Sequence, residues 1–390
     1  MRLWRRNGRW PIALDLGTDS IKVLQLASVS NSLTVRAAGR WQFPLSAGDN
    51  PTQRRELTVA AARDIIRRGD FRGRRVVTAL SAEELGVKNV RLPHMSRQEL
   101  DDAVLWEAKE RFEFDVNSDR LKYLNAGKVR SGNEVSDEII MMAVSEQAIE
   151  EHLSLIAAMG LQSERIEAEP VAIFREAQRF LRRRADEEAV TVMADIGSVG
   201  TRVVVARGRN IMFLKNIDIG GQVFNEAVAE QLNLDITEAR DLRTRIMQEH
   251  ARRLGVPKKT AQDDEDQPAR SEVDWTIRDA VRGRIEELAR EISLCLRYCS
   301  VTFRGLRADE VALAGGEVYD PAVIELLNEN MGVECRPVQP LRGIDVSQVS
   351  LGMGRRTPLC EWATCMGLAL LDADIAPHAR EVSHERRLSA

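Results

Sequence analysis

The sequence predicts an α/β protein in which one domain occurs twice, with a compact α+β unit set between the copies. Three observations carry this expectation. Residues 12–41 read as three apolar strands, "IALDL", "SIKVLQLA" and "LTVRAAGRW", and a second meander follows at 191–219 as "TVMADI", "TRVVVAR" and "IMFLKNIDI". In both copies an acid ends the first strand and a glycine turn follows at once: Asp15 before Gly17, Asp195 before Gly197. In both copies a helix and a further buried strand come next, at 53–68 and "RRVVTALS" in the first, from about 222 and then "EVALA" (310–314) in the second.

The elements follow in order. The first meander turns at Gly17 and at "SNS", residues 30–32. In the helix after it, Leu57, Ala61 and Ile65 share one face. Ser96 and Glu99 form a capping box, and Leu100, Val104, Ala108 and Phe112 recur at every fourth position behind it, so an amphipathic helix opens the middle unit. "EIIMMAVS" is a strand, and "EQAIEEHLSLIAAMGL" is a helix stopped by Gly160. The second meander turns at Gly197 and at "RGRN", residues 207–210. Val281, Ile285, Leu288, Ile292, Cys295 and Cys299 make an apolar seam on a helix over 275–300. The expected division is a first lobe at 10–81 and 166–190, an insertion at 82–165, and a second lobe at 191–372 with a mobile loop at 251–274. Residues 373–390 form a polar tail.

Composition narrows the function classes. The chain is 44% hydrophobic and 30% charged, which is ordinary for a soluble protein, and no apolar run reaches the roughly 18 residues of a membrane span. A net charge of -4 argues against nucleic acid as a main partner. "MRLWRRNGRW" lacks a signal-peptide apolar region, so a cytoplasmic location is expected; its Arg and Trp suit an anionic lipid surface, or else a disordered start. None of the five Cys forms a CxxC pair, and the five His are scattered, so no zinc site is expected.

The chemistry concentrates in three stretches. In "DLGTDSIK" a glycine turn between strands aims consecutive backbone N–H groups into one concavity, a nest for phosphate oxygens. Gly17 makes the turn, Thr18 and Ser20 add hydroxyls and Lys22 adds charge. Asp15 repels phosphate unless a cation intervenes, and Mg²⁺ is commonly held through carboxylates and nucleotide phosphates. "DIGSVGT" repeats the pattern with Asp195, Gly197, Ser198, Gly200 and Thr201. Asp15 and Asp195 are therefore the candidate metal residues. The competing reading is a pair of β-turns whose Asp and Gly serve geometry alone. The third stretch, "EVALAGGEVYDPAVIELLNENMG", places Gly315 and Gly316 after a buried strand, where a flat ligand can approach the backbone. Asp320 is the expected N-cap of the next helix, with Pro321 at its first turn.

These three signatures in this order resemble the actin-like ATPase superfamily, and the finer detail is similar to the PilM family of type IV pilus assembly proteins over residues 10–371. The residues that carry the likeness are Trp106-Glu107-Ala108 in the insertion, Glu169-Pro170 in "EAEPVAIF", Ile219-Gly220-Gly221 before a helix, and "GLAL" from Gly367 to Leu370. The resemblance implies duplicated actin-like (ribonuclease H-like) domains that bind ATP with Mg²⁺ between two lobes and turn it over weakly. It adds Gly220, Gly221, Arg243 and Glu317 to the nucleotide contacts. Arg243 stands where relatives carry Lys, Arg240 stands where they carry Glu, and Asp19 puts an additional acid in the first turn.

The resemblance also implies a role. Such a protein is a cytoplasmic scaffold, peripheral on the inner membrane, that captures the N-terminal tail of a single-span PilN-like protein in a pilus, secretion or DNA-uptake machine. Self-association is a further possibility it brings. Trp106, Phe112 and Phe114 of the insertion supply bulky apolar surface for a partner. Glu169 is the candidate for orienting an attacking water, the alternative being a first-turn acid favoured by the helix dipole. An FtsA-like polymerising cell-division or cytoskeletal ATPase is the alternative function. "DADIAPHAREVSHERRLSA" has no apolar stripe to match the membrane helix in which FtsA-like proteins end.

Overall fold

A computed structural model describes residues 10–29, 32–44, 50–131, 134–254, 272–351 and 357–371. The N-terminal run to Arg9, most of the 30–32 turn, residues 255–271 of the polar loop and the tail after Leu371 lie outside the described residues.

Two five-stranded sheets have the same strand order. The first is β3-β2-β1-β4-β8, built from β1 (Ile12–Leu16), β2 (Ser20–Val29), β3 (Ser32–Gln42), β4 (Arg75–Leu80) and β8 (Gln162–Ala168). The second is β11-β10-β9-β12-β13, built from β9 (Val190–Ile196), β10 (Thr201–Arg207), β11 (Asn210–Ile217), β12 (Glu310–Ala314) and β13 (Glu334–Pro337). Each is an antiparallel meander followed by two parallel strands, so the duplication read from the meanders extends to the whole sheet. The outermost strands β8 and β13 carry "QSERIEA" and "ECRP". At these two edges polar side chains break the apolar pattern that exposes a strand in sequence, whereas the opposite edge strand β11 keeps it.

The insertion is a three-stranded sheet, β5-β7-β6, from β5 (Leu85–Pro93), β6 (Leu121–Ser131) and β7 (Glu134–Val144), covered by α2 (Arg97–Arg111). The capping box of Ser96 and Glu99 starts α2 as expected. Strand β7 is central, and side chains alternate across a sheet. Ile139, Met141 and Ala143 face α2, while Ile140, Met142 and Val144 join the core of the second lobe. Burial on both faces accounts for the unbroken apolar run "IIMMAV". Although inserted in the first lobe, this sheet is thus cemented to the second. The Asn89 amide donates to Leu214 O at 3.1 Å, and the Phe213 and Tyr298 rings stack 5.2 Å apart beside Glu138, which accepts from the Tyr298 hydroxyl.

Two segments fall on the other side of the expected boundaries. Helix α3 (Glu146–Ala158) and the start of β8 lie within the expected 82–165 insertion, yet Ile156, Met159 and Leu161 pack into the core of the first lobe with α1 (Pro51–Arg68). Residues 341–351 and 357–371, expected in the second lobe, return to the first sheet through Leu341 and Trp362 and through Met366 and Leu368 of α9 (Ala363–Ala369). Helix α4 (Glu169–Gln178) joins the lobes: Ala172 packs with α9, and Ile173 and Phe174 pack into the second core.

Candidate functional site

The two glycine turns face each other across a cleft between the lobes, and a cavity of about 160 Å³ lies there. Asp15, Gly17, Thr18, Ser20 and Lys22 line it from the first hairpin, Asp195, Gly197 and Ser198 from the second. Gly315, Gly316, Glu317, Arg243 and Glu169 complete the contribution of the expected residues. Gly200, Thr201, Gly220 and Gly221 are not among the lining residues. The Thr201 hydroxyl instead donates to Ile219 O at 2.7 Å, inside the second lobe.

Why each buried strand ends on an acid is answered by the hairpin register. Asp15 stands opposite Lys22 on the β1–β2 ladder, and Asp195 stands opposite Arg202 on the β9–β10 ladder. The two hairpins thus carry the same cross-strand pair of acid and cation. Lys22 Nζ donates to Asp15 Oδ2 at 2.9 Å. Burial works against the Lys22 charge, but Asp15 outweighs it and holds the ammonium above its ordinary range. Arg202 escaped the sequence reading. The signal was present, since Arg202 follows Asp195 by the same interval that separates Lys22 from Asp15.

Arg202 also meets Glu169, the first residue of α4, where Nε lies 2.9 Å from Oε2. Burial, with Asp195 and Asp15 adding and Arg202 opposing, pushes the Glu169 carboxyl up to about 7. A folded-state value above the ordinary 4.5 means that the folded chain binds this proton more tightly than the unfolded chain. Its contribution to stability is full below 4.5 and is lost as pH rises through 7. Glu169→Gln keeps the shape without titrating. It is expected to flatten the loss of stability across this window by on the order of 3 kcal/mol, measured by denaturant unfolding at several pH values. A variant that loses stability over the same window as steeply as the parent would contradict the assignment.

The two departures from the family pattern pair with each other. Arg240 Nη2, on α6 (Ile236–Leu254) of the second lobe, lies 2.5 Å from Asp19 Oδ1 on the first turn. Ser198 Oγ approaches the same oxygen at 3.5 Å. This bridge spans the cleft and narrows it.

Arg243 borders the cavity, but its donors are used within the protein. Nε and Nη2 reach Asp320 Oδ2 at 3.2 and 2.7 Å, Nη2 reaches Glu317 at 2.7 Å, and Nη1 reaches Asn225 at 2.7 Å and Gly221 O at 3.2 Å. The expected ligand contact is therefore a clasp between α5 (Gly221–Leu232), α6 and the turn before α8 (Pro321–Met331). Asp320 caps α8 as predicted, accepting from Ala322 N.

The cleft fits a nucleotide in its remaining chemistry. Gly315 has φ +97°, and a Cβ there would lie 2.2 Å from Ile196 O and 2.8 Å from Asp195 Oδ1, so only glycine lets these strand ends meet beneath a ligand. Arg40 Nε and Glu361 Oε1 border the cavity without a hydrogen-bond partner among the described residues. For Mg²⁺ the donors are the two carboxylates Asp15 and Asp195, one paired with Lys22 and the other opposite Arg202. That set suits an ion that arrives on phosphates and is held through water, with no closed protein cage.

A second cavity, of about 600 Å³, lies behind the first. It is lined by the end of β4 and the following loop (Leu80–Glu83), by β5 (Leu85–Asn89) and by β11 (Leu214–Ile217). Asp15, Gly17, Thr18, Glu169 and Arg202 line both cavities and form the wall between them. None of Trp106, Phe112 and Phe114 is among its lining residues. Phe112 is spent on the core beneath α2, where it stacks with Phe114 at 5.5 Å, whereas Trp106 is 62% exposed.

Duplicated sheets of one strand order, joined at paired glycine turns, define an actin-like fold. The chain belongs to the type IV pilus assembly protein PilM family, which matches residues 13–252. Among solved structures, the PilM-PilN type IV pilus biogenesis complex is similar at TM-score 0.71 and 21% identity, covering 95% of this chain and 100% of that one. The ethanolamine utilization protein EutJ from Carboxydothermus hydrogenoformans is similar at TM-score 0.51 and 14% identity, covering 94% of this chain and 92% of that one. At these identities the likeness is one of fold. No curated protein matches the chain by sequence.

Proposed function

We propose that this protein is a nucleotide-regulated cytoplasmic scaffold of a type IV pilus or related envelope machine, held on the inner membrane by the N-terminal tail of a PilN-like single-span protein. The observation that carries the nucleotide part is the symmetry of the cleft: two glycine turns, each with an acid and a cation opposite one another, in front of the Gly315-Gly316 floor. ATP is the ligand that such a site suits. Lys22 and the turn amides meet the phosphates, Gly315 and Gly316 underlie the adenosine, and Glu169 is placed to orient water. Mg²⁺, where present, neutralises phosphate charge and is held through water by Asp15 and Asp195.

The partner part rests on the second cavity. β5 and β11 are outer strands of their sheets and both border it, so an extended peptide can pair with a strand edge while side chains enter the space between. Among the described residues no helix is long and apolar enough to cross a membrane, and recruitment through a bound tail accounts for a place at the inner membrane. Within the machine the protein holds that tail, and ATP sets the relation between the lobes that surround it. A ligand shifts such an equilibrium only by its differential affinity for the two arrangements.

Calorimetry with ATP, in the presence and absence of Mg²⁺, and with a peptide of the N-terminal cytoplasmic tail of a PilN-like single-span protein, tests both parts. Binding of ATP, stronger with Mg²⁺, and of the peptide at a Kd of about 1 μM is expected. Ala82→Trp, which fills the second cavity, is expected to weaken peptide binding about tenfold or more while leaving ATP binding in place. Undiminished peptide binding in that variant would put the tail elsewhere, and absence of ATP binding to the parent protein would leave a scaffold without a nucleotide.

A further inference from the structure

Lys22 and Arg202 occupy equivalent places in the duplicated hairpins but are used differently. Lys22 turns onto its own acid, Asp15, at 2.9 Å. Arg202 lies along the second glycine turn. Its Nη1 donates to Gly200 O at 3.2 Å, and a Cβ on Gly197 would meet the same nitrogen at 2.6 Å. Its Nε stands 2.9 Å from Glu169 Oε2, yet neither atom has an aligned hydrogen-bond partner among the described residues. Both side chains are largely buried, at 14% and 13% exposure, and both line the two cavities. A guanidinium therefore stands on the floor of a phosphate turn and in the dividing wall at once, held to Glu169 by charge rather than by a formed bond.

We propose that Arg202 is the contact for the terminal phosphate of a nucleoside triphosphate in the first cavity, and that by leaving Glu169 for that phosphate it passes the nucleotide's state to the second cavity. The proposal rests on the nucleotide reading of the cleft and deepens it. The shared wall marks one end of the cleft. Arg243 and Met247 of α6 line only the first cavity and mark the other. A triphosphate laid from the Gly315-Gly316 floor towards the wall brings its last phosphate to Arg202. The guanidinium fork matches phosphate oxygens in a geometry that its contact with Glu169 lacks, so the exchange favours the phosphate. Departure of Arg202 breaks its contact with Glu169 in the shared wall, and so changes the lining that the second cavity presents beside β5 and β11. A diphosphate falls short of the wall and leaves the pair closed.

The test is calorimetric titration of the full chain with a non-hydrolysable ATP analogue and with ADP, both with Mg²⁺, on the parent, Arg202→Met and Arg202→Lys. Arg202→Met is expected to weaken the triphosphate about tenfold or more, the loss of a charge-assisted hydrogen bond, and the diphosphate less than about twofold. Arg202→Lys falls between. Amide hydrogen exchange over residues 85–89 and 214–218 is expected to change with the analogue, not with ADP, and not in Arg202→Met. Equal losses for both nucleotides, no loss, or an exchange response that survives in Arg202→Met would overturn the assignment alone. Failure of the parent to bind either nucleotide would overturn the nucleotide reading and this assignment with it. Glu169→Gln with Arg202→Met, which leaves no unpaired charge at position 169, replaces the single variant if that one does not fold.

Discussion

Replacing Arg243 by Met is expected to cost about 3–5 kcal/mol of folding stability, the usual penalty for removing one partner of a buried ion pair. Arg243 is 2% exposed, and its guanidinium makes five hydrogen bonds, to Asp320, Glu317, Asn225 and Gly221 O. It also lies 5.3 Å over the Phe224 ring. Burial opposes its charge, but Glu317 and Asp320 outweigh that and hold it above its ordinary range. Burial pushes the Glu317 carboxyl up and only Arg243 draws it back, so the Met variant strands two buried acids without their cation. Arg243→Lys restores a charge without the fork and is expected to recover only part of the loss. Denaturant unfolding of the three proteins measures the difference. A Met variant within about 0.5 kcal/mol of the parent would mean that the clasp contributes little beyond what a surface site does.

Gly367→Ala is expected to be nearly as damaging, at the top of the ~1–3 kcal/mol range for overpacked cores or beyond it. An ideal Cβ at Gly367 would lie 1.7 Å from Ala172 O and 2.5 Å from its carbonyl carbon. Both atoms are backbone and cannot turn aside, so α9 and α4 must separate. The contact is reinforced by Arg175, whose Nη1 donates to Gly367 O at 3.0 Å. Because Glu169 opens α4, the same displacement carries it away from Arg202. Loss of thermal stability together with weakened nucleotide binding is the expected result. A variant with unchanged melting and unchanged binding would show that the two helices yield without consequence.

Both predictions rest on residues whose importance was visible in sequence only in outline. In sequence Arg243 is a substitution within a family pattern and reads as a ligand contact. Its partners Glu317 and Asp320 lie 74 and 77 positions away, and no local periodicity joins positions so distant. Gly367 stood out as part of "GLAL". That its missing side chain admits the Ala172 carbonyl depends on the C-terminal segment crossing back to the first lobe. Phe112 reads in sequence both as partner surface and as part of a helical stripe, and in the structure its ring follows the stripe and fills the space beside Gly86.

By itself the sequence determined what is local. The strands of both meanders, the capping box at Ser96, the Asp320 cap and the placing of Asp15 and Asp195 at the mouths of glycine turns follow from alternation, helix period and turn chemistry within a few residues. It also carried the duplication, because the same local order occurs twice. Tertiary structure alone decided which acids meet which cations across the cleft. It joined Asp19 to Arg240 and Glu169 to Arg202, seated the inserted sheet on the second lobe, and returned residues 341–351 and 357–371 to the first. The physical reason is range. Hydrogen bonding along the chain acts over neighbouring residues and leaves a periodic trace. The pairing of buried charges and the covering of apolar faces are settled by which surfaces come together when the chain closes, and the charges themselves stand at single positions with no period to betray their partners.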